Sequence, residues 1–314
     1  PTYYPPRKTP KECYEQIIAD LTDAEQYAPD NDNSDRTKMT KTVAQAMLAK
    51  VYAEKEVQDY DKVIAYADKV MNTTGVELED SYETLWGYDE TAIDCMKRNT
   101  KEGILEVHWT TGSGNWETWM YGRQLDNWDY YFTWAKWITP SRDIINDFDK
   151  EGDEVRKNQA IVYYACTWSN YYPASNYPFM YKLRSSYNNV YWVRLADIIL
   201  MKAEAEAYKG NLAESAKLVN LIRKRAKLKE LTADKTGSKE SMIEAVLHER
   251  RLELAFEGER WFDLCRNNKV EQYLNGIDNR DSGRIRQVRQ FDSNSYLLPI
   301  PQTALDQNTN LEQN

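Results

Sequence analysis

The stretch Glu249–Arg266 constrains this chain more than any other. It reads Glu-Arg-Arg-Leu-Glu-Leu-Ala-Phe-Glu-Gly-Glu-Arg-Trp-Phe-Asp-Leu-Cys-Arg. Charges of opposite sign stand three and four apart, so they lie on one face of a helix and pair along it. Gly258 breaks that helix, and a second helical turn follows, opened by Trp261 and Phe262. Further on, Tyr296-Leu297-Leu298-Pro299-Ile300-Pro301 reads as an extended, Pro-bracketed strand. The tail continues through Leu305, Asn308, Asn310, Leu311, Gln313 and Asn314. The charge cluster Glu249, Arg250, Arg251, Glu253, Glu257, Glu259 and Arg260 reads as ion pairing within the helix and with its neighbours, not as an acid–base site.

Helical periodicity covers both ends of the chain. Thr9-Pro10-Lys11-Glu12 is a helix start, with Thr at the N-cap, Pro at the first position and Glu three after the cap. Tyr14, Ile17, Ile18, Leu21 and Ala24 then recur at helical spacing, and Asp30 to Asp35 is a polar loop. A second helix carries Val43, Ala46, Met47 and Val51. A third carries Tyr60, Ile64, Ala67, Val70 and Met71 and stops near Gly75. Together these two form an antiparallel pair close to the tetratricopeptide period of about 34 residues. The design returns with Arg194–Lys209, the Gly210-Asn211 turn and Leu212–Lys227, where Ala203, Ala205 and Ala207 allow close approach.

Between the repeats, residues 76–193 are turn-rich and aromatic. Glu102–Trp109 is expected as a strand and Pro140–Phe148 as a short helix. Tyr163–Tyr191 reads as loop with room for one strand. Six of the ten tryptophans lie between Trp109 and Trp137, among Gly112, Gly114, Gly122, Asn115 and Asn127. They show no helical period. Indole and phenol rings join an apolar face to a polar edge. Such a face stacks on the C–H side of a sugar, while Asn, Asp and Arg bond its hydroxyls. Trp134 and Trp137, near the helix at Pro140, are expected in the core. Trp116, Trp119, Tyr121, Trp128, Tyr130 and Tyr131 are the expected exposed platform. Tyr171, Tyr172 and Tyr177 form a second candidate.

Charge and composition narrow the classes. Hydrophobic residues make up 41% and charged residues 29% of the 314, which suits a folded chain. A net charge of −9 opposes a nucleic-acid role, which needs clustered Lys and Arg. No apolar run approaches the roughly 18 residues of a spanning helix. Cys13, Cys95, Cys166 and Cys265 have no zinc spacing, and Cys265, on an apolar helix face, reads as a buried thiol. His108 and His248 are the only histidines, and no Ser-His-Asp order, metal set or cofactor motif accompanies them. Glu117, Asp126 and Asp129 leave a glycosidase open, which needs two carboxyl groups about 5 to 9.5 Å apart.

The order of these pieces resembles the SusD/RagB-like family, glycan-capturing lipoproteins of the Bacteroidota outer membrane. Its E-R-R-x-E-L-x-x-E-G-x-R-x-x-D-L-x-R pattern is met at every fixed letter from Glu249 to Arg266. Arg194–Ala205 looks like the family's R-L-A-E-x-x-L-x-x-A-E-A helix, with Asp197 for Glu. Thr309 stands where the tail usually has Pro. The resemblance runs from about Thr9 to the end. It implies a mostly α fold, an α/α superhelix of tetratricopeptide-like pairs carrying the aromatic insertion. Its parts are residues 1–75, 76–193 and 194–314, joined as one domain. It further implies non-catalytic, cofactor-free binding of an oligosaccharide or polysaccharide at the cell surface and delivery to a SusC-like TonB-dependent transporter. Outer-membrane attachment would use an N-terminal lipid anchor, which this sequence does not include. Neither that anchor nor a first helical repeat is present, so the chain reads as part of a longer protein. Peptide or another non-glycan nutrient is the alternative cargo.

Overall fold

The structure, a computed structural model, describes residues 4–89, 91, 94–109, 138–166, 169–184, 187–283 and 289–313. Helix α1 (Pro10–Tyr27) starts on a reciprocal cap. The Glu12 amide donates to Thr9 Oγ1 at 3.2 Å, and the Thr9 amide donates back to the Glu12 carboxylate at 2.9 Å. Helices α2 (Lys41–Ala53) and α3 (Tyr60–Met71) are capped by Thr40 and Asp59. Then come α4 (Tyr82–Trp86), the short ladder β1 (Tyr88–Asp89) with β2 (Asp94–Cys95), and β3 (Gly103–His108). Beyond them lie α5 (Arg142–Glu151), α6 (Glu154–Ala160), β4 (Ile161–Tyr164), β5 (Tyr177–Met180) and β6 (Asn189–Arg194). Strands β3 and β6 pair antiparallel, as do β4 and β5.

Strand β6 runs directly into α7 (Leu195–Lys209), which Gly210 closes in the left-handed conformation at φ 84°. Only a residue without Cβ adopts that cap freely. Helix α8 (Leu212–Arg225) returns along α7. The short α9 (Ala233–Thr236) leads to α10 (Lys239–Glu253), which covers the pair, and α11 (Arg260–Arg266) follows the break. Although the two helix pairs are far apart in sequence, α3 packs against α7, so they form one stack. Helix α7 is at its centre: every residue from Leu195 to Ala207 is buried. The main core joins Val43, Ala67, Ile104, Val193, Ile199, Leu218 and Val246, from both pairs, both long strands and α10. The fold is mostly α, as expected.

The charged C-terminal helix is buried rather than surface-paired. Arg194, 1% exposed, donates to Glu102 at 2.8 Å, to Glu253 at 2.7 Å and to Glu257 at 2.7 Å. Arg225 bonds the same Glu102 and Glu253. Arg156 Nη1 donates to Glu249 at 2.7 Å and Glu253 at 3.2 Å, and Arg223 reaches the other oxygen of Glu249 at 2.9 Å. Arg250 joins Asp197 and Asp263, while Arg266 forks onto Glu204. Glu102, Arg156 and Lys182 come from the middle of the chain, so the cluster clamps that region onto the helices.

The C-terminal tail corrects an expectation. Tyr296–Pro301 is not a strand: a 3₁₀ turn covers Ser293–Tyr296, an irregular run follows, and α12–α14 comprise Val270–Leu274, Ile277–Arg280 and Gln302–Gln307. Pro299 and Pro301 have no amide hydrogen to give a ladder. The Gln313 side chain takes the place of a paired strand, accepting from the Ile300 amide at 2.8 Å and donating to the Ile300 carbonyl at 3.0 Å. Cys265 is half buried, not buried, and burial raises its thiol pKa to about 11.

Candidate ligand-binding surface

Helix α5 positions the first concavity. Its N-cap Ser141 accepts from the Ile144 amide, placing Arg142 in the first turn. The Arg142 guanidinium lies 4.6 Å from the Tyr171 ring and 4.1 Å from the Tyr172 ring, within cation–π range. The two rings meet edge to face at 4.8 Å. Tyr171 donates its hydroxyl to Asp281 Oδ2, and the other carboxylate oxygen, Oδ1, accepts from the Arg142 amide at 3.0 Å. Tyr172 donates to the Pro140 carbonyl at 2.7 Å. Burial raises the Tyr172 phenol above its ordinary range, so it stays a donor. Beside them opens a cavity of about 780 Å³, lined by Arg142, Ser169, Asn170, Tyr171, Tyr172, Pro173 and Ala174. Rings, a cation and small polar groups on one wall suit a polyhydroxylated ligand with apolar faces.

Tyr177 stands apart from its two companions. It is 2% exposed, packs edge to face on Tyr172 at 5.6 Å and shares hydroxyl contacts with Thr139 and Ser169. It supports the concavity from behind and presents no face. Trp116, Trp119, Tyr121, Trp128, Tyr130 and Tyr131 lie outside the described residues, as do Trp134, Trp137, Glu117, Asp126 and Asp129. His108 lies against Glu106 at 2.7 Å and His248 against Glu151 at 3.2 Å, each far in sequence from the tyrosines. Among the described residues no three His, Cys, Asp or Glu side chains could share a metal ion.

Residues 22–314 match the family model described as the SusD family. The chain belongs to the SusD family. The SusD-like protein P2 of Formosa agariphila is 28% identical over 350 aligned residues, covering 98% of this chain and 65% of that protein. The chain therefore spans just under two thirds of that relative. A SusD-like protein of Bacteroides fragilis superposes with a TM-score of 0.76 at 21% identity, over 100% of this chain and 72% of its own. A laminarin-binding SusD-like protein superposes with a TM-score of 0.72 at 23% identity, over 98% and 69%. At those identities the likeness carries the fold.

For a SusD family member the charged stretch Glu249–Arg266 now has a place. Its Glu253 and Glu257 hold Arg194 and Lys182 under the middle region, and Phe256 and Gly258 turn the chain at positive φ, 65° and 89°. That turn borders a second, smaller cleft of about 420 Å³, reached also by Ile138, Met180, Val190 and Trp192. Trp192 escaped the sequence reading. It sits on β6 with its neighbours Tyr191 and Val193 buried, while Trp192 itself is 60% exposed. The alternation Tyr-Trp-Val before Arg194 carried the signal, hidden by the Tyr- and Asn-rich sequence upstream.

Proposed function

We propose that this protein captures oligosaccharide or polysaccharide at the cell surface without cleaving it and passes it to a SusC-like TonB-dependent transporter. Membership of the SusD family over residues 22–314 carries the reading. The Arg142–Tyr171–Tyr172 concavity supports it, and so does the laminarin bound by one relative of the same fold. The chemistry is modest and non-covalent. Ring faces stack on sugar C–H groups, and Arg142, Ser169 and Asn170 hydrogen-bond hydroxyls. Affinity on the order of micromolar to millimolar follows from a few such contacts. Trp116, Trp119, Tyr121, Trp128, Tyr130 and Tyr131 are proposed as further ligand-contacting rings. Attachment is to the outer membrane, by a lipid anchor.

The test is retardation of the protein in native gels containing laminarin, starch, xylan, mannan or alginate. At least one polymer should slow it. Trp119→Ala, Trp128→Ala and Tyr171→Ala should each relieve a large part of that retardation, because a few aromatic anchors dominate most interfaces. A chain that runs unretarded in every polymer, with its melting temperature intact, sinks the reading.

A further inference from the structure

The exposed Trp192 ring is unlike the other described tryptophans. Trp86, on the same cleft, is buried and wedged between Tyr82, Tyr191 and the Lys182 ammonium. Trp192 faces outward from β6 beside a cleft walled by Ile138, Met180, Val190 and Phe256, with the Glu257 carboxylate at its edge. Glu257 is fixed by two bonds from Arg194 and one from Lys182. Its Oε2 takes only the Arg194 Nε bond among the described residues, which leaves a lone pair for a hydroxyl donor. Burial pushes its pKa up, but Arg194 and Lys182 outweigh that and keep it below the ordinary range, so it is ionised at neutral pH. A flat indole face next to a fixed carboxylate is the pairing a pyranose needs: an apolar C–H face for one, a hydroxyl rim for the other.

This cleft and the tyrosine concavity share a border. Ile138 lines the cleft, Thr139 Oγ1 lies 3.1 Å from the Tyr177 hydroxyl, the Pro140 carbonyl accepts from Tyr172, and Arg142 lines the concavity. Four steps along an extended chain cover at most about 14 Å. Strand β5 bridges the same gap from the other side, with Tyr177 packed on Tyr172 and Met180 in the cleft. A separation of at most about 14 Å is within the reach of a single oligosaccharide chain.

We infer that Trp192 and its cleft form a second glycan subsite, reached by the same oligosaccharide that fills the Tyr171–Tyr172 concavity, so that the protein selects for chain length. The inference rests on the glycan-capture reading above.

The experiment takes the polymer that retards the protein most and measures, by calorimetry, binding of its di- to hexasaccharides. Affinity should climb with length and level off once both subsites are filled. Trp192→Ala should weaken the hexasaccharide about tenfold and leave the disaccharide unchanged, while Trp192→Tyr keeps most of the gain. Because the ring is exposed, Trp192→Ala should melt with the parent; should it not, an Ile138→Asp change at the cleft rim carries the same test. Hexasaccharide binding that survives Trp192→Ala, while Tyr171→Ala abolishes it, overturns the second subsite and leaves glycan capture standing. Equal losses for the di- and hexasaccharide also overturn it, since they place Trp192 in a single site. Absence of binding to every polymer overturns the capture reading and this inference together.

Discussion

Glu253 concentrates the energetics of the motif in one side chain. It is fully buried, and its two oxygens serve Arg194, Arg225 and Arg156. Burial pushes its pKa up, yet Arg225, Arg194 and Arg156 together hold it well below the usual carboxylate range. Taking several charges out of water is costly, and only complete pairing offsets it. Breaking such a set by removing one partner costs about 3–5 kcal/mol. Glu253→Gln keeps the volume and removes the charge, so it should lower unfolding stability by about that much at neutral pH. The sign against pH follows from the depressed pKa. Glu253 contributes its stability above the unfolded carboxylate range, near pH 4.5, and loses it as pH falls further. Denaturant curves of parent and Glu253→Gln should therefore converge as pH drops below about 4.5. A gap that stays constant down to pH 2 would show that Glu253 is not the group responsible.

Among the elements, α7 is the least tolerant. A helix apolar on one stripe can lie on a surface, whereas one buried all round must sit inside. Ile199 on α7 is 1% exposed in the main core. Removing it forfeits roughly 1.5–3 kcal/mol of burial, before the cost of a carboxylate there. Ile199→Asp should unfold the chain or lower its melting temperature by many degrees; a mutant melting within a degree or two of the parent would sink the helix-pair assignment. The helices were legible because their signals are local: the Thr9 cap, the 3.6-residue period and Gly210 all act within a turn or two. Strand β6 was not, since its partner β3 lies more than eighty residues upstream and turn-rich sequence surrounds it. The Tyr296–Pro301 run shows extended propensity without a ladder to join. The charged helix was read as pairing with its neighbours, which is right, but its burial depends on Glu102, Arg156 and Asp197, which no spacing rule along the helix can see. The aromatic composition pointed to the middle region, and within it Tyr171 and Tyr172 line a cavity, whereas Tyr177 lies behind it.

At the scale of the whole molecule, the charge clamp and the helix stack serve one arrangement. The stack carries α7 at its centre, and the clamp fixes the concavities of the middle region against it through Arg194, Glu253 and Glu257. No helix among the described residues is long and apolar enough to cross a membrane. Weak capture at a surface becomes uptake only if another molecule conducts the cargo, and a stack of helix pairs offers an extended face for such a partner. The proposed hand-over therefore predicts a stable companion. The full-length protein, expressed in its own host and extracted in mild detergent, should co-purify with a large outer-membrane β-barrel. The same pull-down on a known transporter–lipoprotein pair fixes the conditions. If that control pair survives and this protein emerges alone, it captures ligand without a dedicated transporter, and the delivery half of the proposed function falls while glycan binding is judged separately by the gels.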